Sequence, residues 1–165
     1  IMKLRRWPAL LAVLFVSAVL VGCSLLRAVQ DPFAGKWIGI VKVPLMGRSV
    51  VQADIRPVEG EKGRYHVAMA AEQYVPSEAD PDVYLWQRGA SLRFTGSLDG
   101  DELNLDSLMK ITFLAGKVTG TVRLKDGTVL RQDTGKEKEG LRQEMEEAIR
   151  KEHPGAVFRD APPAP

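Results

Sequence analysis

From Lys36 onward the chain alternates apolar and polar residues with a period of two, which is the pattern of strands with one buried and one wet face. Over residues 36–43, Trp37, Gly39, Val41 and Val43 share one face and Ile38 and Ile40 the other, and Pro44 and Gly47 then supply a turn. Residues 49–56 set Val51, Ala53 and Ile55 against Gln52, Asp54 and Arg56, and residues 64–72 set Tyr65, Val67, Met69 and Ala71 against Arg64, His66 and Glu72. The rhythm breaks over 74–89, where prolines and acids predict a loop followed by a short aromatic segment with Tyr84 and Trp86. It resumes over 91–98 with Leu92, Phe94, Gly96 and Leu98 inward, and Asp99-Gly100 predicts a hairpin into the next strand. After Gly116, Val118, Gly120, Val122 and Leu124 alternate with Lys117, Thr119, Thr121 and Arg123, and Lys125-Asp126-Gly127 turns into a last strand. Turn signals at this spacing predict a mainly β domain of about eight or nine short strands, an antiparallel up-and-down barrel or meander.

Two segments depart from that period. Residues 139–152 place Leu141, Met145, Ala148 and Ile149 on one stripe, with Glu146/Arg150 and Glu147/Lys151 spaced for i,i+4 pairing, and predict a single C-terminal helix docked on the outside of its own sheet. His153-Pro154-Gly155 stops it, and 154–165 is expected to be a disordered tail. At the other end, Lys3, Arg5 and Arg6 precede an apolar run from Pro8 to Val21, with the small Gly22 before Cys23, and this reads as a helical export signal.

At Leu20-Val21-Gly22-Cys23 the chain resembles the lipobox of bacterial lipoproteins. That resemblance implies a diacylglyceryl group on the Cys23 thiol, removal of residues 1–22, acylation of the new amino end by a chain such as palmitate, and a cell-envelope address. Ser24 resembles the residue that sends such proteins on to the outer membrane of a two-membrane cell. The competing reading is a retained anchor, because the uncharged run from Trp7 to Leu26 reaches the ~20 residues that span a bilayer. Both place residue 27 onward outside the cytoplasm, since the basic cluster stays inside. The expected organisation is a signal peptide over 1–22, lipidated Cys23 with a tether to 34, the β domain over 35–133, the helix over 134–153, then the tail.

The β domain in turn resembles the lipocalin-like group, through Gly35-x-Trp37 at the first strand, the meander of hairpins and the helix after the last strand. The resemblance implies a barrel with Trp37 closing one end.

Charge and cysteine content narrow the function. Three of the 23 Lys and Arg residues lie in the leader and none of the 21 acids does, so the chain from Cys23 is one unit negative and has no electrostatic case for nucleic acid. Cys23 is the single cysteine, which excludes an internal disulfide. His66 and His153 are the two histidines, too few for a three-histidine metal site, and no Ser-His-Asp relay, cofactor motif or metal motif is visible.

The inward residues Trp37, Tyr65, Met69, Phe94 and Phe113 are candidates to bind an apolar small molecule such as an acyl chain. They are equally candidates for plain core, since an eight-stranded barrel is just wide enough either to be filled or to hold one small ligand. Tyr74, Tyr84 and Trp86 are candidates to bind an envelope protein from the 74–89 segment, with an ordinary inward-packing strand as the alternative. The expectation is a membrane-tethered, non-catalytic binding or structural module, with ligand carriage and partner binding or inhibition as the alternatives.

Overall fold

Alternation becomes a closed sheet here because every strand has an apolar face to hide and a neighbour to pair with. The computed structural model describes residues 31–163. The leader, Cys23 and the tether to residue 30 lie outside the described residues. Strands β1 (Gly35–Val43), β2 (Gly47–Pro57), β3 (Arg64–Pro76), β4 (Val83–Asp99), β5 (Glu102–Leu105), β6 (Thr112–Ala115), β7 (Thr121–Leu124) and β8 (Val129–Gln132) pair antiparallel in sequence order. The barrel closes where β8 returns to β1 through Trp37↔Gln132 and Ile38↔Arg131. Helix α1 (Glu137–Glu152) follows, and β9 (Val157–Asp160) adds in parallel to the first residues of β4. This is the mainly β, up-and-down architecture with one C-terminal helix that the sequence pattern predicts.

The inner faces of the strands make one core. Phe33, Trp37, Ile55, Tyr65, Val67, Leu103, Phe113 and Val122 are buried in it. Trp37 Nε1 donates to the Phe33 carbonyl at 2.7 Å, which satisfies the indole inside an apolar end. A second core lies outside the barrel wall, where Ile38, Val50, Tyr74 and Trp86 meet Met145 of α1, with Leu141, Ile149 and Phe158 at its border. The helix therefore packs on its own sheet along the stripe that the sequence shows. Its start is held by Thr134, whose hydroxyl and amide donate to the Glu137 carboxylate at 2.5 and 2.8 Å. Those bonds from Thr134 bring the Glu137 carboxyl down to about 2.

Three expectations are corrected. Residues 74–89 are not an irregular loop: Tyr74–Pro76 ends β3, Val83 begins β4, and only 77–82 connect them. The two strands pair from Tyr74↔Trp86 down to Arg64↔Ser97, with Glu72↔Arg88 followed by Ala70↔Ser91. One extra residue of β4 is thus accommodated near Gly89-Ala90 as a β-bulge, which inverts the side-chain parity of the strand. Before it, Tyr84 and Trp86 point out to the helix; after it, Leu92, Phe94 and Gly96 point into the barrel. Secondly, 154–165 is not wholly an unpacked tail, because Val157–Asp160 forms β9 and Phe158 stacks near Tyr74 and Tyr84 at centroid distances of 5.0 and 5.9 Å. Thirdly, Val118 and Gly120 are not inward strand residues: they lie in the β6–β7 turn, with Val118 68% exposed and Gly120 at φ 76°.

Candidate functional site

The closed end of the barrel is filled by large side chains, and the other end is not. Strands β5 to β8 have four residues each against 13 in β3 and 17 in β4, so the wall is low on one side. Small residues, Ala70, Ala71, Gly89 and Ala90, take the positions around the bulge. The result is a cavity of about 510 Å³ that opens at this end, walled by Val41, Val51, Met69, Phe94, Ile111 and Leu130. Its mouth is rimmed by the β1–β2 turn (Pro44, Met46), the β5–β6 loop (Met109, Lys110) and the β7–β8 turn (Lys125, Asp126).

The structure divides the five candidate ligand residues. Met69 and Phe94 line the cavity and are half-buried. Trp37, Tyr65 and Phe113 do not: they are 6%, 6% and 0% exposed and plug the closed end. Ala71, Leu92, Ile111 and Leu124 complete the wall. Pattern reading finds Met69, Ala71, Leu92, Phe94 and Leu124 through their period. It misses Met46 and Met109, whose only signal is an apolar Leu-Met pair inside a turn, at 45–46 and again at 108–109.

Tyr74, Tyr84 and Trp86 are not presented by an exposed loop. Tyr74 and Trp86 are 8% and 7% exposed beneath α1 and β9. Trp86 Nε1 donates to Glu72 at 2.9 Å, and Lys138 Nζ reaches the same carboxylate at 3.0 Å. Arg142 lies over both rings, 5.0 Å from the Trp86 centroid and 5.3 Å from Tyr74, and pairs with Asp160 at 2.8 Å. Its Nε donates to the Tyr74 hydroxyl at 2.6 Å, and that hydroxyl donates to Glu146. These contacts fasten the helix and β9 to the wall.

Burial first, and the bond to Glu146 second, push the Tyr74 phenol up to about 12. A phenol whose folded value is raised stabilises the fold fully below its unfolded value near 10 and loses that contribution as pH rises toward 12. We expect one of the three tyrosines to ionise near pH 12 in an absorbance titration, and Tyr74→Phe to remove that step and flatten the stability loss over the same pH window.

The larger cleft, about 800 Å³, runs beside the start of α1 and is lined by Glu72, Arg88, Lys138, Arg142 and Asp160. These charges are spent on one another, through Glu72 with Lys138 and Arg88 and through Arg142 with Asp160. The smaller cavity is the better site, because its wall is apolar. Among the described residues no three His, Cys, Asp or Glu side chains converge to hold a metal, and no helix is long and apolar enough to cross a membrane.

The fold and this opening define a class, an eight-stranded antiparallel barrel that is plugged at one end and hollow and apolar at the other. No known protein family, curated protein or solved structure matches this chain.

Proposed function

We propose that the chain is a cell-envelope lipoprotein, held outside the cytoplasm by lipid on Cys23, whose barrel is a non-catalytic binding module for an apolar ligand of the acyl-chain class. One observation supports this above the others: the cavity of about 510 Å³, with its apolar wall, falls within the ~300–1,000 Å³ usual for small-molecule sites. The lipobox-like Leu20-Val21-Gly22-Cys23 supports the address. An apolar ligand gains about 25 cal/mol for each Å² it withdraws from water, and a wall of Met, Phe, Leu and Val side chains offers it no competing polar group. Partner binding through Tyr74, Tyr84 and Trp86 is the weaker reading, because those rings are already covered by the protein's own helix.

Mass spectrometry of the protein purified from its membrane tests both halves of the proposal. The intact mass is expected to correspond to a chain that starts at an acylated Cys23, and solvent extraction of the barrel to release an acyl-bearing small molecule. Ala71→Trp, which fills the cavity from its wall, is expected to abolish the extracted species while leaving the melting temperature unchanged or slightly raised. An empty wild-type barrel overturns the ligand, and an unmodified thiol on an uncleaved chain overturns the address.

A further inference from the structure

The rim of the cavity carries apolar side chains that a water-facing opening does not need. Leu45 at the tip of the β1–β2 turn is 109% exposed and Leu108 in the β5–β6 loop is 104% exposed, backed by Met46 at 46% and Met109 at 60%. These two loops also hold the two non-glycine residues of positive φ among those described, Leu45 at 66° and Lys110 at 48°. For a leucine that conformation is strained, and it leaves the side chain projecting from the turn. The charges at the same opening are lopsided, with Lys42, Lys110 and Lys125 against Asp126, and Lys125 also reaches Glu102 at 3.8 Å. Apolar tips ringed by lysines complement a surface that is apolar beneath and anionic above.

We infer that the open end of the barrel docks on a phospholipid bilayer carrying anionic headgroups, with Leu45, Met46, Leu108 and Met109 entering the acyl layer and the lysines meeting phosphates. The inference rests on the proposed apolar ligand and adds where that ligand enters: directly between the bilayer and the cavity mouth. Chain length permits it. The described chain begins at the plugged end, and the eight residues from Cys23 to Asp31 span at most about 28 Å when extended. The nine residues of β1 cover about 30 Å along the strand, and less along the axis of a tilted barrel. A barrel leaning on the bilayer that holds Cys23 therefore reaches it with its mouth.

The test uses the full lipidated chain reconstituted in vesicles of phosphatidylcholine with phosphatidylglycerol. With Cys23 capped by lipid, Leu45→Cys and Leu108→Cys each add one free thiol for an environment-sensitive fluorophore, and Val118→Cys, at the plugged end, is the reference. Labels at 45 and 108 are expected to shift to the blue and to be quenched by bromine-bearing acyl chains, with the label at 118 remaining in water. The quenching is expected to weaken in phosphatidylcholine alone and in the Lys42→Glu/Lys110→Glu double variant. If labels at 45 and 108 behave like the one at 118, the docking inference is wrong, even where lipid is extracted from the barrel. If they are quenched while the barrel extracts empty, docking stands and the ligand reading fails.

Discussion

Trp86→Ala is expected to destabilise the protein by about 3–5 kcal/mol, the cost of deleting a large buried aromatic ring. The indole is 7% exposed and packs edge-on to Tyr74 at a centroid distance of 4.8 Å, with the Arg142 guanidinium 5.0 Å from its own centroid. Its loss opens a hole between the wall and α1 and removes one donor from the nearly buried Glu72 carboxylate, leaving Lys138 and Arg88 to hold it. Urea unfolding measures the loss directly. Hydrogen exchange is expected to show α1 and β9 opening before the barrel does, since both elements lean on this ring and the barrel core does not. A variant that kept full stability yet lost a bound protein would return Trp86 to the role of an interface residue.

Gly39→Val is expected to cost about 3 kcal/mol and to part the barrel at its closing seam. A Cβ at position 39 would stand 2.7 Å from Leu130 Cδ2 and 2.9 Å from the Val129 carbonyl oxygen. The leucine can rotate away, but the carbonyl belongs to β8, and moving it pulls on a seam that rests on Trp37↔Gln132 and Ile38↔Arg131. Amide exchange at Ile38 and Arg131 should rise well before that at the extensively paired β2 and β3. Unchanged exchange there, together with an unchanged urea midpoint, would show that β8 tolerates the displacement. Gly39→Ala, with a smaller side chain, is expected to show the same effect at reduced size.

The strands were legible where buried and more exposed residues alternate, as in 51–56, where Val51, Ala53 and Ile55 are buried and Gln52, Asp54 and Arg56 are less so. Legibility failed where both faces are covered. Over 74–89, Tyr74, Tyr84 and Trp86 are apolar outward because α1 lies on them, and the inserted residue near Gly89 then shifts the phase of β4, so no single period runs through it. Pro76 and Pro81 pointed to a loop, and one does lie there, but it is only 77–82. The segment Val157–Asp160 gave no signal of its own; it becomes a strand because the first residues of β4 offer an edge, and because Phe158 finds two aromatic rings there. Val118 erred the other way, fitting an alternation that the chain uses as a turn. At the site, Met69 and Phe94 were readable from their phase, and Trp37, Tyr65 and Phe113 shared that phase without sharing the cavity. Phase tells which face of a strand a residue occupies, but not how far along the barrel it sits.

The bulge near Gly89-Ala90 places an unusual demand on this chain. What matters at that point is the count of residues as well as the small size of Gly89: with one residue fewer, either the indole of Trp86 would turn toward the barrel interior or Phe94 would turn toward water. Side chains at 87 and 91 are exposed and free to drift. An insertion or deletion among them is not, because a single step would exchange the contents of two hydrophobic layers at once.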